Sequence, residues 1–204
     1  FAGDGIYFDG LFCTHQVLMS GRTHLTIAHD SVTNCNTGAI VNAANEMCLG
    51  GGGIDGRISF LGGPELFEAR QALPVVDGVR CPTGDAKLTV SGNLLCDYVI
   101  HAVGPQFSMD EEQVEEDLQL LKSTYQSVLR VAHEKKLTKI AFCIISAGIF
   151  RGCCSLERII EAAFESIAEN VYPLLRVVYF CAYTEEEYTT AGRVLEKKAS
   201  NLDV

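Results

Sequence analysis

The amino-acid sequence predicts an α/β protein in which helices cover both faces of a central sheet. Short apolar runs alternate along the chain with segments whose apolar residues recur every three or four positions. The apolar runs contain few polar residues, which is typical of strands buried on both faces. No repeat, low-complexity tract or Pro- and Ser-rich linker divides the 204 residues, so a single domain is predicted.

The predicted elements follow one another in a regular alternation. Ser155 precedes an apolar repeat and predicts a helix N-cap, and Thr184 with Glu187 has the spacing of a capping box. Pro64 fits the first turn of a helix that reaches Leu73, because proline needs no backbone N–H there. The predicted strands are 25–28, 39–41, 87–90, 98–103, 140–145 and 176–182, and the predicted helices are 64–73, 114–132, 156–167 and 184–198. Residues 1–23 are expected to be irregular or to form edge strands.

Composition and charge exclude several classes of protein. The formal net charge is −10 and no basic stripe occurs, so no nucleic-acid partner is expected. No stretch predicts a membrane span, and residues 1–30 lack a signal-peptide pattern. The 9 cysteines show no zinc-ligand spacing, which predicts buried thiols in a reducing compartment and no metal. We therefore expect an intracellular protein, cytoplasmic or nuclear, with import into an organelle left open.

A run of glycines follows the strand predicted at 39–41. The block Asn-Ala-Ala-Asn at 42–45 comes first, and the glycines 50–53 then lead into Ile54 and Asp55. Glycine leaves the backbone free of side chains, so its amides can converge on phosphate oxygens where a helix begins near Ile54. Residues 51–56 also match G-x-G-x-x-G, but a dinucleotide fold places that motif directly after the strand, which is not the case here.

A second loop with small residues follows the strand predicted at 140–145. It reads Ser-Ala-Gly-Ile-Phe-Arg-Gly over 146–152 and leads to the helix after Ser155. Each of the two loops follows a strand and leads into a helix, so together they can hold a diphosphate from both sides. An acid is unfavourable beside a diphosphate, and Asp55 is therefore expected to serve function rather than folding.

With two further blocks, these loops resemble the macrodomain family, and its MacroD-type hydrolase branch most closely. The further blocks are Thr-Gly-Asp-Ala-Lys at 83–87 and Val-Ile-His-Ala-Val-Gly-Pro at 99–105. All the motifs occur in the family's order, and the resemblance covers about residues 24–198. It implies a three-layer α/β/α fold with a mixed, largely parallel central sheet, formed by one domain over 1–204.

The resemblance also implies an activity and a set of site residues. Proteins of this branch bind ADP-ribose, remove mono-ADP-ribose from Asp and Glu side chains of proteins, and deacetylate O-acetyl-ADP-ribose. Asn45, which meets the distal ribose, and Asp55, which positions the attacking water, are the catalytic residues that it implies. The ligand-binding residues that it implies are Asp30 and Tyr183 at adenine, Phe150 at the distal ribose, and Ser31, Asn42, Gly51, Gly52, Gly53, Ile54, Ser146, Ala147, Gly148 and Ile149. We expect a monomer whose partners are ADP-ribose and mono-ADP-ribosylated proteins, without a cofactor.

This sequence departs from the family pattern at a few positions. His29-Asp30-Ser31 replaces the usual Gly-Asp-Ile, and the Cys/His block of the zinc-dependent macrodomains is missing, so catalysis is expected to need no metal. Ser59 stands where many of these hydrolases have histidine, and Ala147 where many have threonine.

Three hypotheses on function follow. Asn45 and Asp55 favour an ADP-ribosyl ester hydrolase, whereas Ser59 and Ala147 favour a reader module that binds ADP-ribose without turnover. An oxidoreductase with a nicotinamide cofactor is disfavoured by the position of the glycines and by the lack of a second substrate domain.

Structural roles are the alternative for some polar residues. His101 lies inside an apolar strand and is expected to be a paired core histidine rather than a base. Asn42 is expected to bond to nearby backbone and shape the loop, although the resemblance places it among the ligand-binding residues.

The predicted site also limits the linkage that can be cleaved. It contains no pair of carboxylates, no Cys–His or Ser–His dyad and no strong acid, so the leaving group must need little protonation. A carboxylate esterified to the distal ribose meets that condition, because its conjugate acid has a pKa of about 4. A serine ether or an arginine linkage does not.

Overall fold

The computed structural model describes residues 6–19 and 22–200, in which a mixed sheet lies between helices. The strands are β1 Ile6–Phe8, β2 Leu11–Met19, β3 Thr23–Ala28, β4 Ala39–Ala43, β5 Ala86–Val90, β6 Tyr98–Ala102, β7 Lys139–Cys143 and β8 Val177–Cys181. The helices are α1 Gly53–Gln71, α2 Val114–Glu134, α3 Leu156–Asn170 and α4 Glu185–Ser200, with 3-10 turns at Val32–Asn34 and Glu111–Gln113. Residues 1–5 and 20–21 of the predicted extension, and 201–204 of the predicted domain, lie outside the described residues.

The sheet is parallel in its centre and antiparallel at both edges. Its strand order is β1-β2-β3-β8-β7-β4-β6-β5. Strands β3, β8, β7, β4 and β6 are parallel to one another, whereas β1, β2 and β5 are antiparallel to their neighbours. The predicted three-layer fold with a mixed, largely parallel sheet is confirmed. β1 is an edge strand, and β2 lies between β1 and β3.

Alternate residues of each central strand face opposite layers of the core. In β7, Phe142 belongs to the core layer formed with helices α2, α3 and α4. Ala141 faces the other side of the sheet and belongs to the layer that contains residues of α1 and β2. Phe180 and Tyr179 in β8 divide in the same way. This explains why the strands are apolar on both sides, since neither face of the sheet meets water. Among the described residues, no helix combines the length and the apolar character that a membrane crossing needs.

Helix α1 consists of two helical halves that meet at a sharp bend. Gly63 has φ 68° and ψ −161°, which is not helical, and Pro64 begins the second half. The prediction of a helix over 64–73 is correct in its start but extends past the true end at Gln71. A Cβ at Gly92 would lie 2.1 Å from the Gly62 carbonyl oxygen, so the β5–β6 loop approaches the bend closely enough to require glycine.

The predicted helix caps are confirmed, whereas several strand ends are displaced. The Arg158 amide donates to Ser155 Oγ at 3.3 Å, and Thr184 and Glu187 exchange both bonds of a capping box. The strands predicted at 98–103, 140–145 and 176–182 end at Ala102, Cys143 and Cys181. Apolar residues continue into the buried loops beyond those ends, so hydrophobicity alone does not mark where the hydrogen-bonded ladder stops.

Candidate functional site

The predicted site residues lie in a row at the carboxyl ends of the parallel strands. Strands β3, β8, β7 and β4 all terminate at this end of the sheet, in that spatial order. Asp30 follows β3, Tyr183 follows β8, the 146–152 loop follows β7, and the 45–53 loop follows β4. The buried members of the predicted set are Asn42, Asp55 and Ser146, the half-buried ones are Asp30, Ser31, Asn45, Ile54, Ala147 and Phe150, and the exposed ones are Gly51, Gly52, Gly53, Gly148, Ile149 and Tyr183. Residues from distant parts of the sequence are therefore brought side by side at the ends of these strands, a region that we call the cleft.

The glycine loop brings the side chains of Asn45 and Asp55 to a common point. Asn45 folds over its own loop, where Nδ2 donates to the Gly50 carbonyl at 2.9 Å and Oδ1 accepts from the Met47 amide at 3.2 Å. A Cβ at Gly51 would lie 3.1 Å from Asp55 Oδ2 and 3.4 Å from Asn45 Nδ2. Glycine at this position is what leaves room for both polar groups beside the loop.

Asp55 is a buried carboxylate whose two oxygens have different surroundings. Oδ1 accepts a 2.8 Å hydrogen bond from Asn42 Nδ2 and lies 2.8 Å from Arg70 Nη2. Oδ2, which faces Gly51, has no hydrogen-bond partner among the residues that the structure describes. One oxygen is thus fixed, and the other is a buried acceptor beside the loop that no described residue satisfies.

Arg70 is the residue of this site that the sequence analysis missed. Its Nε donates to the Cys48 carbonyl, its Nη1 donates to Ser59 Oγ at 2.7 Å, and only 1% of its side chain is exposed. Its Nη2 contacts Asp55 as an ion pair rather than a hydrogen bond, because no N–H of that nitrogen points at the carboxylate with hydrogen-bonding geometry. Ser59 in turn donates to the Asp55 backbone carbonyl at 2.8 Å, so the substituted serine supports the same group.

A signal for Arg70 was present in the sequence. The buried positions of α1 recur at intervals of four, and the series ends on the arginine: Ile58, Gly62, Leu66 and Arg70. A charged residue on a buried stripe requires a charged or strongly polar partner. The spacing does not say which acid is that partner, because the contact with Asp55 depends on the bend at Gly63.

His101 is a paired core histidine, as predicted. It lies opposite Asn42 in the parallel register of β4 and β6. Its Nδ1 is 3.1 Å from Asn42 Nδ2, and its Nε2 is 2.9 Å from Thr89 Oγ1, which donates to the Val90 carbonyl. Burial, reinforced by the charge of Arg70, lowers the pKa of His101 to about 3. A neutral ring with its proton on Nε2 satisfies all these contacts.

The expectation for Asn42 needs correction. Its side chain was predicted to bond to nearby backbone, but it lies inside β4, fully buried, and its Nδ2 contacts Asp55 and His101. The strand places this amide below the loop rather than in it. Asn42 therefore acts on the cleft through Asp55.

The second loop is anchored at both ends by the segment that follows β6. Ser146 Oγ donates to the Pro105 carbonyl at 2.7 Å, and the Phe107 amide donates to the Phe150 carbonyl at 2.8 Å. Ser146 has a φ of 60°, a left-handed conformation that this anchoring holds in place. The loop is thus fixed at its ends.

Between those anchors the loop is open to solvent. Ile149 is 91% exposed, and a Cβ at Gly148 would meet no atom within 4 Å. The same is true of Gly52, whose φ of −89° suits any residue. Neither the backbone nor the packing requires glycine at these two positions, and both are open to close approach from solvent.

At the other end of the row, Asp30 is held by local hydrogen bonds. Its Oδ1 accepts from the Ser31 amide and from Asn34 Nδ2, both at 2.7 Å, and its Oδ2 accepts from the Phe12 amide at 3.4 Å. Tyr183 is 74% exposed after β8, so its ring is free to stack on a planar group. These geometries are compatible with the adenine-binding prediction, which stays a prediction.

His29, in place of the usual glycine, packs against helix α4. Its ring stacks on Tyr188 with centroids 4.5 Å apart and planes 7° from parallel. Glu185 lies 3.8 Å from its Nε2. The substitution thus joins β3 to helix α4 beside Asp30.

The thiols of the cleft do not form a metal site. Cys48 packs with Cys81 in a small buried cluster, and the contact between the two thiols, followed by the charge of Arg70, lowers the pKa of Cys48. Burial contributes to the raised pKa of Cys81, although its contact with Cys48 contributes more. Among the described residues, no three His, Cys, Asp or Glu side chains are grouped as metal ligands.

The fold and the site geometry define an α/β protein with two glycine-bearing loops at the carboxyl ends of neighbouring parallel strands. Comparison with known proteins identifies the family: residues 41–163 match the Macro domain. A Macro domain-containing protein of Cupriavidus necator is 38% identical over 172 residues, which make up 83% of this chain and 95% of that protein. The O-acetyl-ADP-ribose deacetylase of Escherichia fergusonii is 36% identical over 182 residues, 88% of this chain and 98% of that enzyme.

A solved structure agrees with this assignment. The Oceanobacillus iheyensis macrodomain with ADP has a TM-score of 0.82 and 28% sequence identity, and the match covers 92% of this chain and 97% of that chain. The chain belongs to the Macro domain family. The family resemblance predicted from the motifs is confirmed.

Proposed function

We propose that this protein binds ADP-ribose in the cleft and hydrolyses ester bonds to its distal ribose, both in O-acetyl-ADP-ribose and in proteins mono-ADP-ribosylated on Asp or Glu. The order of the site residues along the carboxyl ends of the strands is the observation that carries the proposal. Relatives named O-acetyl-ADP-ribose deacetylase, similar over most of their length, support the ester chemistry.

The row of strand ends matches the order of groups in ADP-ribose. Asp30 and Tyr183 at β3 and β8 suit adenine, the 146–152 loop at β7 suits the diphosphate, and Asn45 with Asp55 at β4 suits the distal ribose. Three strand spacings of about 4.8 Å give about 14 Å from β3 to β4. That span fits an extended dinucleotide-sized ligand.

Backbone amides supply the affinity for the diphosphate. The protein has a net charge of −10, and its two cleft loops lead into the N-termini of α1 and α3. N–H groups at a helix N-terminus favour an anion without any basic side chain. Gly52 and Gly148 let the diphosphate approach the backbone closely.

The reaction needs only one group that handles a proton. The oxygen of a water attacks the anomeric carbon of the distal ribose, the bond from that carbon to the carboxyl oxygen breaks, and the electron pair leaves with the carboxylate. One water proton passes to Asp55 Oδ2, or to the substrate's own phosphate, and then to solvent. In O-acetyl-ADP-ribose the ester is on a ribose hydroxyl, so the water attacks the acetyl carbonyl carbon and the bond from that carbon to the ribose oxygen breaks. The ribose oxygen takes up the proton that Asp55 removed from the water, and acetate and ADP-ribose are released.

A reader module remains the second candidate. Ser59 is committed to Arg70 and to the Asp55 carbonyl, and His101 is buried with both ring nitrogens in contact with protein groups. Neither residue supplies a second proton-transfer group beside Asp55. Binding without turnover is the outcome that this arrangement would favour.

Turnover on defined linkages tests the proposal. A protein carrying labelled mono-ADP-ribose on Glu or Asp is expected to lose its label, whereas a serine-linked substrate is expected to react at least about a hundredfold more slowly, because its alkoxide leaving group needs a general acid. The measurement is ADP-ribose released from both substrates side by side. Comparable rates would reveal an acid that the proposal lacks. Binding without release from either substrate would establish the reader module.

Replacing Asp30 by alanine tests the adenine end of the cleft. A lost buried hydrogen bond costs about 1–3 kcal/mol, so ADP-ribose should bind roughly 5- to 150-fold more weakly in calorimetry. Asn34→Ala is the matched control, because it removes the 2.7 Å bond to Asp30 and keeps the carboxylate. An equal loss in both variants would mean that Asp30 only shapes its loop, and no loss in Asp30→Ala would remove it from the site.

A further inference from the structure

We propose that Arg70 is a positioning residue of the hydrolytic site, which fixes the Asp55 carboxylate so that Oδ2 faces the water. The inference rests on the proposed function and adds a residue to it. Arg70 lies beneath the glycine loop and does not reach the ligand surface of the cleft, since its side chain is only 1% exposed. It would therefore act on the reaction through the groups that it holds, of which Asp55 is the one that handles the proton.

Three contacts fix the guanidinium in one orientation. Nε donates to the Cys48 carbonyl in the glycine-loop segment, Nη1 donates to Ser59 Oγ at 2.7 Å, and Nη2 lies 2.8 Å from Asp55 Oδ1. A planar guanidinium can make two directed hydrogen bonds and an ion pair at three fixed positions at once, whereas an ammonium group acts as a point charge. The loop that lines the cleft and the acid that serves it are thus tied to one rigid group.

The contacts on Asp55 are all on the same oxygen. Asn42 Nδ2 and Arg70 Nη2 both lie 2.8 Å from Oδ1. Oδ2 has no partner among the residues that the structure describes and faces Gly51. The two oxygens of a carboxylate are equivalent, so this pair of contacts fixes the orientation of the group, with one oxygen at Asn42 and Arg70 and the other facing the loop.

The bend in α1 brings Arg70 close to Asp55. Residues 55 and 70 would be about 22 Å apart along a straight helix, far beyond the reach of an arginine side chain. The non-helical Gly63 and the following Pro64 fold the second half of α1 back, and Arg70 then meets both Ser59 and Asp55 of the first half. A buried ion pair adds little net stability compared with apolar packing, so this arrangement is better explained by the position it gives to Asp55.

A double-mutant cycle on Arg70 and Asp55 tests the inference. Arg70→Lys keeps a positive charge opposite Asp55, which protects the buried charge balance and hence folding, but it cannot make the three contacts. We expect it to slow single-turnover release of ADP-ribose from a Glu-linked substrate by about ten- to a hundredfold. ADP-ribose affinity, measured by calorimetry, should stay within about threefold, because Arg70 does not touch the ligand.

In the Asp55→Asn background, the same lysine substitution should have no further effect on the rate, since its influence passes through the carboxylate. Arg130→Lys is the control for the exchange itself. Arg130 pairs with Asp85 and Glu134 on the surface, and this variant should react at the unmodified rate.

Each alternative result has a definite meaning. An unchanged rate in Arg70→Lys overturns the role of Arg70 while leaving the proposed function intact. Equal slowing in the presence and absence of the Asp55 carboxylate, or a loss of ADP-ribose affinity in proportion to the rate, also overturns it, because either result marks a merely structural residue. Absence of turnover in the unmodified protein refutes the proposed function and the role of Arg70 with it.

Discussion

Asp55→Ala is expected to lower the hydrolysis of a Glu- or Asp-linked ADP-ribose by at least about a hundredfold, while ADP-ribose affinity stays within about threefold. The carboxylate is buried beside the glycine loop, with Oδ2 directed toward Gly51. It is proposed to hold and deprotonate a water, and it makes none of the amide contacts proposed for the diphosphate. Single-turnover rates and calorimetric affinities on the same preparations measure the two effects separately.

The stability of the Asp55 variants must be measured with the rates. Removing one partner of a buried ion pair costs about 3–5 kcal/mol, because Arg70 would remain buried without its counter-charge. Asp55→Asn keeps the shape and the bond to Asn42, and its melting temperature reports any loss of folding. Asp97→Ala is the matched control, since this exposed carboxylate precedes β6 and therefore lies at the amino-terminal ends of the parallel strands, away from the site. Turnover at the unmodified rate in the folded Asp55 variants would mean that another group holds the water.

Gly148→Glu is expected to weaken ADP-ribose binding by at least about a hundredfold without lowering the melting temperature. A Cβ at this position would meet no protein atom within 4 Å, so the substitution is free of internal clashes. The added carboxylate would stand where the diphosphate is proposed to bind, and two like charges about 4 Å apart repel by about 1–4 kcal/mol at the surface of a protein. The bulk of the side chain adds to that loss.

Two companion variants separate charge, bulk and folding. Gly148→Gln has nearly the same size as the glutamate without its charge, and it should weaken binding by only about tenfold. Gly152→Ala lies in the same loop, but its Cβ would be 2.2 Å from the Phe107 carbonyl oxygen, so it should lower the melting temperature. Unchanged affinity in Gly148→Glu would place the diphosphate away from this loop.

The local features of the fold were open to prediction because they depend on neighbouring residues. Ser155 and the Thr184–Glu187 pair predicted helix starts, since caps act over three residues. His101 was correctly interpreted as a paired core residue from its place in an apolar strand. The strand ends were less accurate, because Ile144 and Ile145 stay buried after the ladder has ended.

The sequence by itself determined the α/β class, the two glycine-bearing loops and the presence of an acid beside one of them, because each of these is written in residue types and short spacings. Only the tertiary structure decided what holds that acid. Arg70 is fifteen positions after Asp55, and the two meet because the chain bends at Gly63, a contact that helical periodicity does not predict. Asn42 likewise reaches Asp55 from inside β4, since parallel pairing sets His101 opposite it and burial directs its amide to the carboxylate. The spacing of residues shows where polar groups occur along the chain, whereas tertiary packing decides which of them contact one another in the interior.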